Sequence, residues 1–411
     1  MDIDEHAVDL VARTGAGPPR PAVSGVAAAP DPAARDPVRD VRAAVEAALP
    51  LLRDRAPAAG GGRRLSEEVV RVLRRTGLYR LLLPTALGGA QAPVVAVMDV
   101  LERIATVDGS TAWCAMIGAG SNAFAGYLPE SGARRVFADL DQGSATMLAP
   151  VGRLVGGGGR LRLSGRWPFA SNCLHSAWIG LGALSEQPDP APRIVFVDMR
   201  SVTVEDTWDA VGLRATGSHH VSVTDLPVSD DEHCSTGDRP WPDGPLWRLP
   251  LHTVLVPLLA SVPLGIARGA LDHVADGGSA GSTGLRGRLV DDAVAMSDFA
   301  VADTRLRAAR AALREAVTEA HDRAERHEAI DRHLRARIFL AGLHASDVGV
   351  EAASVAHRLT GAAAADAGHP VLRSLNDVQA ARQHLLLAHR HRAELGRAVA
   401  GDPVRYPPFL P

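Results

Sequence analysis

The first third of the chain has apolar side chains at helical spacing. In Asp40 to Leu52, and again in Val94 to Val107, apolar residues return every three or four positions and so share one face of a helix. Thr111 to Ala125 is small and apolar on all sides, which is typical of a fully buried helix. A loop is predicted at Ala58 to Gly62. These stretches predict a helical domain over residues 38–142.

The spacing changes to that of β-strands in the middle of the chain. Leu161, Leu163, Gly165 and Trp167 alternate with arginine and serine, as the two faces of a strand do. Further short stretches of this kind, separated by Gly, Pro, Asp and Ser, are Ala177 to Leu184, Arg193 to Val197, Val202 to Val204 and His220 to Val223. Together they predict a compact β domain over residues 143–250.

Long apolar and amphipathic stretches return after Pro250. Four of them are long enough for helices, and they are Val254 to Leu271, Asp291 to Ala324, His333 to Leu359 and Asp377 to Ala400. Four such helices predict a bundle over residues 251–401, so the fold class is α+β and mainly α. Residues 1–37 are mostly Ala, Pro, Gly, Arg and Asp and are expected to form a disordered arm, with residues 402–411 as a tail.

Composition and charge exclude several functions. The formal net charge is -3 and no basic stripe is present, so nucleic acid is not an expected partner. All 44 basic residues are arginine. Because a Schiff base, a pyridoxal phosphate anchor and a Walker-type phosphate loop each need a lysine amine, these chemistries are excluded.

The cysteines and the N-terminus indicate a cytoplasmic protein. Cys114, Cys173 and Cys234 are far apart, and the pairs His219/His220 and His389/His391 have no Cys or carboxylate companions at ligand spacing, so no metal site is expected. The first ten residues are acidic, and no uninterrupted apolar run approaches the roughly 20 residues of a membrane helix. Secretion and membrane insertion are therefore not expected.

Four segments together resemble one known family. They are Arg74 to Tyr79 followed by Leu83-Pro84 and Leu87-Gly88-Gly89, then Glu102 to Trp113, Leu163 to Asn172 and Trp208 to Val228. With the order of domains, they resemble the acyl-CoA dehydrogenase superfamily over roughly residues 40–400. The resemblance implies an N-terminal helical domain, a central small β-barrel domain, a C-terminal four-helix bundle and assembly as a homotetramer.

The segment Leu163 to Asn172 resembles the strand and turn that contact a flavin ring in this superfamily. A flavin needs an apolar or aromatic wall and a hydrogen-bond partner near its N5 atom. Cofactor contacts are accordingly expected from Trp167, Phe169, Ala170, Ser171 and Asn172. The alternative is that both aromatic residues pack in the core and that Ser171 is a turn residue. Alone that alternative is favoured, but the other three segments reverse the preference.

The final helical stretch distinguishes two activities. Acyl-CoA dehydrogenases use a glutamate base in a Tyr-Glu-Gly-Thr setting here, yet no glutamate stands between Glu351 and Glu394. The sequence Leu375 to Leu385 instead resembles the "R-D-V-x-A-A-x-Q-H" segment of the two-component flavin-dependent monooxygenases of the same fold. Asn376 replaces the usual arginine, and His384 is the final residue of the segment.

This closer resemblance implies a reaction and its partners. Reduced FMN or FAD from a separate NAD(P)H:flavin reductase would react with O2 to form a C4a-hydroperoxyflavin, which hydroxylates or N-oxygenates a small molecule, such as an aromatic or a secondary metabolite. His384 would exchange a proton with the reacting groups. Ser171 would bond N5–H. The alternative for His384 is a structural histidine bonded to a backbone carbonyl.

The resemblance also implies roles for other residues. Trp113, Gly120 and His219 are expected at the substrate pocket, although a structural role for His219 is favoured. Arg286, after a Gly-rich loop, is expected at a flavin phosphate, and a solvated charge is an equal alternative.

Two other functions remain open at this point. One is an acyl-CoA dehydrogenase with a relocated base, for which Glu232 and Glu351 are the candidates. The other is a degenerate, non-oxidative family member that serves as a binding or cyclisation module. Tight FAD with dye reduction by acyl-CoA would favour the first, and failure to bind any flavin would favour the second.

Overall fold

The computed structural model describes residues 36–157, 161–186, 191–277 and 289–402. The expected disordered arm and C-terminal tail lie almost wholly outside these ranges. Within the arm, Pro37 is already the first residue of a helix.

Five helices form the N-terminal part of the fold. They are α1 (Pro37–Gly61), α2 (Glu67–Arg75), α3 (Val94–Ala105), α4 (Gly109–Asn122) and α5 (Glu130–Val136). The loop predicted at Ala58 to Gly62 is wrong for its first four residues, because the alanine-rich end of α1 stays helical to Gly61. The Asp108 side chain caps α4 by accepting a hydrogen bond from the Thr111 N–H at 2.7 Å. Nearly every residue of α4 is buried, as its composition indicates.

The described residues in the middle of the chain form one seven-stranded sheet. Its strands are β1 (Ala145–Val155), β2 (Leu161–Trp167), β3 (Trp178–Ser185), β4 (Ala191–Asp198), β5 (Thr203–Glu205), β6 (His220–Val228) and β7 (His233–Cys234). They lie in the order β5-β6-β2-β1-β3-β4-β7. Strand β1 was missed from the sequence, because its buried positions do not alternate regularly and its pairing with β3 is interrupted between Met147 and Gly152.

The two faces of the sheet pack against different cores. One face forms a core of its own, in which Leu163, Trp167 and Val195 are fully buried. On the other face, Ile194 and Phe196 belong to the large core formed by the helices. The Phe196 ring packs 6.0 Å from the Phe124 ring, centroid to centroid. The sheet is therefore fixed to the N-terminal helices by aromatic packing.

Helices form the remainder of the described chain. They are α6 (Pro245–Arg248), α7 (Leu251–Ala275), α8 (Ala293–Glu325), α9 (Arg332–Thr360), α10 (Pro370–Ala381) and α11 (Arg392–Ala400). Helices α7 and α9 pack closely, since a Cβ added at Gly342 would lie 2.7 Å from the Val256 side chain. The predicted single helix from Asp377 to Ala400 is wrong, because α10 ends at Ala381 and two 3₁₀ turns precede α11.

Two helical segments, Leu251–Ala275 and Arg332–Ala365, are long and apolar enough to cross a membrane. Neither segment is an uninterrupted apolar run, since Arg268 and Asp272 interrupt the first and five charged residues interrupt the second. In the first segment, 89% of the apolar window is buried inside the fold, as for the central helix of a bundle. In the second segment the buried share is 56%.

Candidate active site

A cavity of about 660 Å³ lies where the helices meet the sheet. Its lining comes from α4, β1, the segment after β2, the segment before β6, helix α7 and the turns that follow α10. Most of the lining side chains are apolar, and Arg390 is the charged one among those that the structure describes. A mostly apolar cavity of this size with a few polar groups is typical of a cofactor or small-molecule site.

Several of the expected site residues line this cavity. They are Trp113, Gly120, Trp167, Phe169, Ser171 and His384, which come from three separate regions of the sequence. The Trp167 ring is nevertheless fully buried, and its Nε1–H donates to the Gly182 carbonyl at 2.7 Å. Trp167 therefore packs in the core, and its indole N–H is already bonded within the protein. Phe169 is 62% exposed and packs edge-on against Trp208.

Other expected residues lie behind the lining or outside the described chain. Ala170 is fully buried. The Asn172 side chain is buried and donates to the Ser144 carbonyl at 3.2 Å. His219, expected at the substrate pocket, does not line the cavity. Its position is structural, because its buried Nδ1 accepts hydrogen bonds from the N–H groups of Thr207 and Trp208, both at 3.1 Å. These bonds fix the turn that positions Trp208, which does line the cavity.

Arg286, the residue expected at a flavin phosphate, lies outside the described residues, as do all residues from 278 to 288.

Trp113 contacts both residues expected to be catalytic. Its indole Nε1–H donates to the Ser171 Oγ at 3.1 Å. Its ring also packs edge-on against the His384 imidazole, with 5.7 Å between centroids. Ser171 and His384 are 213 positions apart in the printed sequence, yet one side chain on α4 places them at the same cavity.

Ser171 is part of a chain of hydroxyl groups that sequence reasoning missed. Its Oγ lies 2.7 Å from the Ser218 Oγ, which lies 2.7 Å from the Thr216 Oγ1. The Thr216 hydroxyl donates to the Leu213 carbonyl at 2.8 Å. We call Ser171, Ser218 and Thr216 the hydroxyl wall, and all three line the cavity. The sequence offers a partial signal, since three small hydroxyl residues fall within two short turn segments.

The backbone around the hydroxyl wall is in an uncommon conformation. Phe169, Asn172 and Leu213 have φ values of 63°, 67° and 49°, in the left-handed region that residues other than glycine rarely adopt. Side chains stabilise it: Asn172 bonds the Ser144 carbonyl, and the Leu213 N–H donates to the Asp377 Oδ1 at 2.6 Å. Such residues persist where the surroundings fix them, and they concentrate at functional sites.

His384 has one fixed nitrogen and one available nitrogen. It precedes a 3₁₀ turn, and its Nδ1 accepts a hydrogen bond from the Leu386 N–H at 3.2 Å. Burial lowers the pKa of His384 to about 4, so the ring is neutral at pH 7 with its hydrogen on Nε2. Of the two directions of proton exchange expected for His384, the lowered pKa favours hydrogen-bond donation from the neutral ring, because a proton taken at neutral pH would create a charge that burial disfavours.

A buried carboxyl group behind the cavity was also missed. Asp377 on α10 is buried, and burial together with the nearby Asp108 raises its pKa to about 7. Its Oδ1 accepts the Leu213 N–H, so it positions the same loop as the hydroxyl wall. Asp377 is not part of the cavity lining. The residue lies in the same Leu375 to Leu385 segment as His384.

No acid lines the cavity within the described ranges. Glu232 accepts the Ser229 N–H at 3.0 Å and pairs with Arg135. Glu351 pairs with Arg305 at 3.0 Å on the exposed surface of α9. Neither candidate for a relocated base faces the cavity, so the lining offers no carboxylate to take a proton from an acyl thioester.

The residues present fit a flavin. Trp113, Trp208 and Phe169 supply aromatic walls, and Ser171 supplies a hydrogen-bonding oxygen at the surface of the cavity. A ring system that is flat and apolar on its faces and polar along one edge matches this combination.

Comparison with known proteins gives the family. Residues 258–389 match the model of the acyl-CoA dehydrogenase C-terminal domain. The chain is 31% identical over 353 residues to an indole-3-acetate monooxygenase of Pseudomonas putida. The aligned region spans 84% of this chain and 90% of that protein. The chain is 28% identical to HsaA, the oxygenase subunit of a flavin-dependent monooxygenase of Rhodococcus jostii, over 83% of this chain and 92% of that protein.

A solved structure agrees with these relatives. XiaF from a Streptomyces species, in complex with FADH2 and glycerol, superposes with a TM-score of 0.83 at 26% identity, covering 90% of this chain and 97% of that chain. The fold, the lining without a carboxylate and these relatives lead to one assignment. The chain belongs to the flavin-dependent monooxygenases of the acyl-CoA dehydrogenase fold, as an oxygenase component of the two-component type.

Proposed function

We propose that this monooxygenase receives reduced FMN or FAD from a separate NAD(P)H:flavin reductase in the cytoplasm and inserts one atom of O2 into a small aromatic substrate. The observation that supports this most strongly is the Trp113 side chain, which bonds the Ser171 Oγ and packs on His384 at one cavity. In the overall reaction, reduced flavin, O2 and substrate give oxidised flavin, oxygenated product and water.

The bound reduced flavin supplies the two electrons that activate O2. In our proposal, the Ser171 Oγ accepts a hydrogen bond from the flavin N5–H. The neutral His384 donates through Nε2–H to the oxygen being transferred or to the substrate atom that receives it. The apolar lining excludes water from both contacts, which strengthens them.

The proposed substrate is an aromatic molecule with a negatively charged group. Trp113, Phe124 and Trp208 line the cavity with aromatic surface. Arg390 is exposed and is the charged member of the described lining, so a carboxylate on the substrate would find its partner there. The Pseudomonas putida relative, an indole-3-acetate monooxygenase, is named for an aromatic acid and supports this substrate class.

We also propose a homotetramer formed through the bundle. Val294 and Val301 on α8 are 74% and 54% exposed, which leaves apolar surface for another subunit. Light scattering at several protein concentrations would test the assembly, and a monomer at all of them would contradict it.

Stopped-flow absorbance tests the proposed function. The protein with reduced flavin is mixed with oxygenated buffer, and a long-lived spectral species is expected before oxidised flavin appears. Ser171→Ala is expected to shorten the lifetime of that species about tenfold, because one hydrogen bond in a dry site is lost. Ser354→Ala is the matched control, since its hydroxyl donates to the Val350 carbonyl within α9.

The other activities give different results in this experiment. Tight FAD and dye reduction by an acyl-CoA would identify a dehydrogenase. No binding of reduced or oxidised flavin would identify a non-oxidative protein.

A further inference from the structure

The hydroxyl wall is bonded at both ends to groups with a fixed hydrogen-bonding role. At one end, the Trp113 Nε1–H reaches the Ser171 Oγ at 3.1 Å, and an indole nitrogen only donates. At the other end, the Thr216 hydroxyl reaches the Leu213 carbonyl at 2.8 Å, and a carbonyl oxygen only accepts. The two bonds between the hydroxyl groups, both 2.7 Å, leave the direction open if each is considered alone.

The Leu213 end determines the direction of the whole chain, and the Trp113 end adds a hydrogen bond that Ser171 accepts. Each hydroxyl group has one hydrogen to donate. The Thr216 hydrogen is used on the Leu213 carbonyl, so Thr216 accepts from Ser218. The Ser218 hydrogen is thereby used, so Ser218 accepts from Ser171. Ser171 therefore donates its hydrogen away from the cavity and has a lone pair left.

Because these residues are buried, water cannot offer alternative hydrogen bonds that would change the donor-to-acceptor direction of the chain. Thr216 is 0% exposed, Ser218 3% and Trp113 4%. Reversing the chain would take the Thr216 hydroxyl hydrogen away from the Leu213 carbonyl and leave these two oxygens facing each other at 2.8 Å, with no water to compensate. The Leu213 carbonyl would then keep only its bond from the Thr216 N–H, at 3.1 Å. Ser171 is half-buried at the cavity surface, so its remaining lone pair is available to a ligand there.

We propose that Trp113, Ser218 and Thr216 act as positioning residues that make Ser171 an acceptor only and thereby select the redox state of the flavin. This rests on the proposed function, in which the flavin N5 lies against the Ser171 Oγ. Reduced flavin has a hydrogen on N5 and donates it to that oxygen. Oxidised flavin has a lone pair on N5, which would face the Ser171 lone pair. The site therefore binds the reduced substrate flavin and releases the oxidised product.

Removing Ser218 would free the Ser171 hydrogen. In Ser218→Ala the Ser171 hydroxyl rotates and donates to N5 of oxidised flavin, so the preference for reduced flavin falls. One hydrogen bond gained or lost corresponds to a change of about fivefold to tenfold in the ratio of the two dissociation constants. A tenfold change equals about 30 mV in the two-electron potential of the bound flavin.

Thr216→Val tests the same order from the other end of the chain. Without the Thr216 oxygen, Ser218 turns its hydrogen toward Ser171, which again becomes free to donate to the flavin. Thr216→Ser keeps the hydroxyl group and is the matched control. A merely structural role would weaken the binding of both redox states equally and leave their ratio unchanged.

The experiment measures anaerobic binding of reduced and oxidised FMN and FAD by equilibrium dialysis, for the unmodified protein and the three variants. We expect a lower preference for reduced flavin in Ser218→Ala and Thr216→Val and an unchanged one in Thr216→Ser. Equal preference in all four proteins would overturn the inference while leaving the proposed function in place. An unmodified protein that binds neither redox state would overturn both.

Discussion

The two sides of the cavity fix their polar groups in different ways. On one side, the hydroxyl wall is held by consecutive hydrogen bonds from Trp113 to the Leu213 carbonyl, and the supporting loop is bonded to Asp377. On the other side, the His384 imidazole accepts a hydrogen bond from the Leu386 N–H and packs against the Trp113 ring. The hydroxyl wall, which would bind one cofactor atom, is therefore the more rigidly bonded side of the cavity.

The largest expected effect comes from removing His384, the side of this comparison with fewer side-chain hydrogen bonds. His384→Ala should lower the product formed per reduced flavin about 100-fold, because a donor aimed at the reacting oxygen is lost. Flavin oxidation should continue and release hydrogen peroxide, so product and peroxide are both measured. His384→Asn keeps an N–H donor and should retain more product than His384→Ala.

His333→Ala is the control for this pair, since His333 is exposed at the start of α9. Unchanged product yield in His384→Ala would remove this residue from the mechanism.

The second effect concerns the rigid side. Asp377→Ala leaves the buried Leu213 N–H without an acceptor, which should lower the free energy of unfolding by about 1–3 kcal/mol in chemical denaturation. Asp377→Asn keeps an acceptor oxygen. The pKa of Asp377 is raised to about 7, so this carboxyl group stabilises the fold below its unfolded pKa of about 4 and loses that contribution as pH rises toward 7.

The stability of Asp377→Asn relative to the unmodified protein should therefore increase between pH 5 and pH 8. A difference that is constant with pH would contradict the raised pKa.

A smaller effect is expected for the charge at the cavity. Arg390→Gln should raise the KM of an aromatic carboxylate a few-fold and leave that of its neutral amide unchanged, because exposed ion pairs contribute about 0.2–1 kcal/mol. Arg332→Gln, an exposed arginine on α9, is the control. Equal changes for acid and amide would show that Arg390 does not recognise the charge.

The smallest expected effect is the pH dependence of the amount of product formed per reduced flavin oxidised. The pKa of His384 is lowered to about 4, so its Nε2–H donor is present throughout pH 6–8 and is altered only as pH falls toward 4. The yield of product per flavin should be flat across pH 6–8. A step near pH 6.5 that is absent in His384→Asn would instead indicate a titrating imidazole at its ordinary pKa.

The sequence predicts the broad fold because periodicity reports which side of each element is buried. It fails where tertiary contacts override local preference. The predicted helix breaks at His384, where ψ is 139° and the backbone leaves the helical conformation, and the turn that follows buries both Leu386 and Leu387. Arg382 supports the break by donating to the Leu387 carbonyl at 3.0 Å.

The site is only partly visible in the sequence for the same reason. Motifs identified Ser171 and His384 as candidates, but the hydroxyl wall joins residues 47 positions apart through side chains. Two aromatic residues of one segment also lie in different environments, since Trp167 is buried in the core whereas Phe169 is exposed at the cavity. Alternation assigns both to one strand face and contains no information about the turn at Phe169, where φ becomes positive.

The most direct test of the account is an experimental structure of the protein with reduced flavin bound under anaerobic conditions. We expect the flavin N5 within hydrogen-bond distance of the Ser171 Oγ, about 3 Å, with the His384 imidazole at the same cavity. A flavin ring bound elsewhere, or with N5 directed away from Ser171, would contradict both the proposed site and the selection of its redox state.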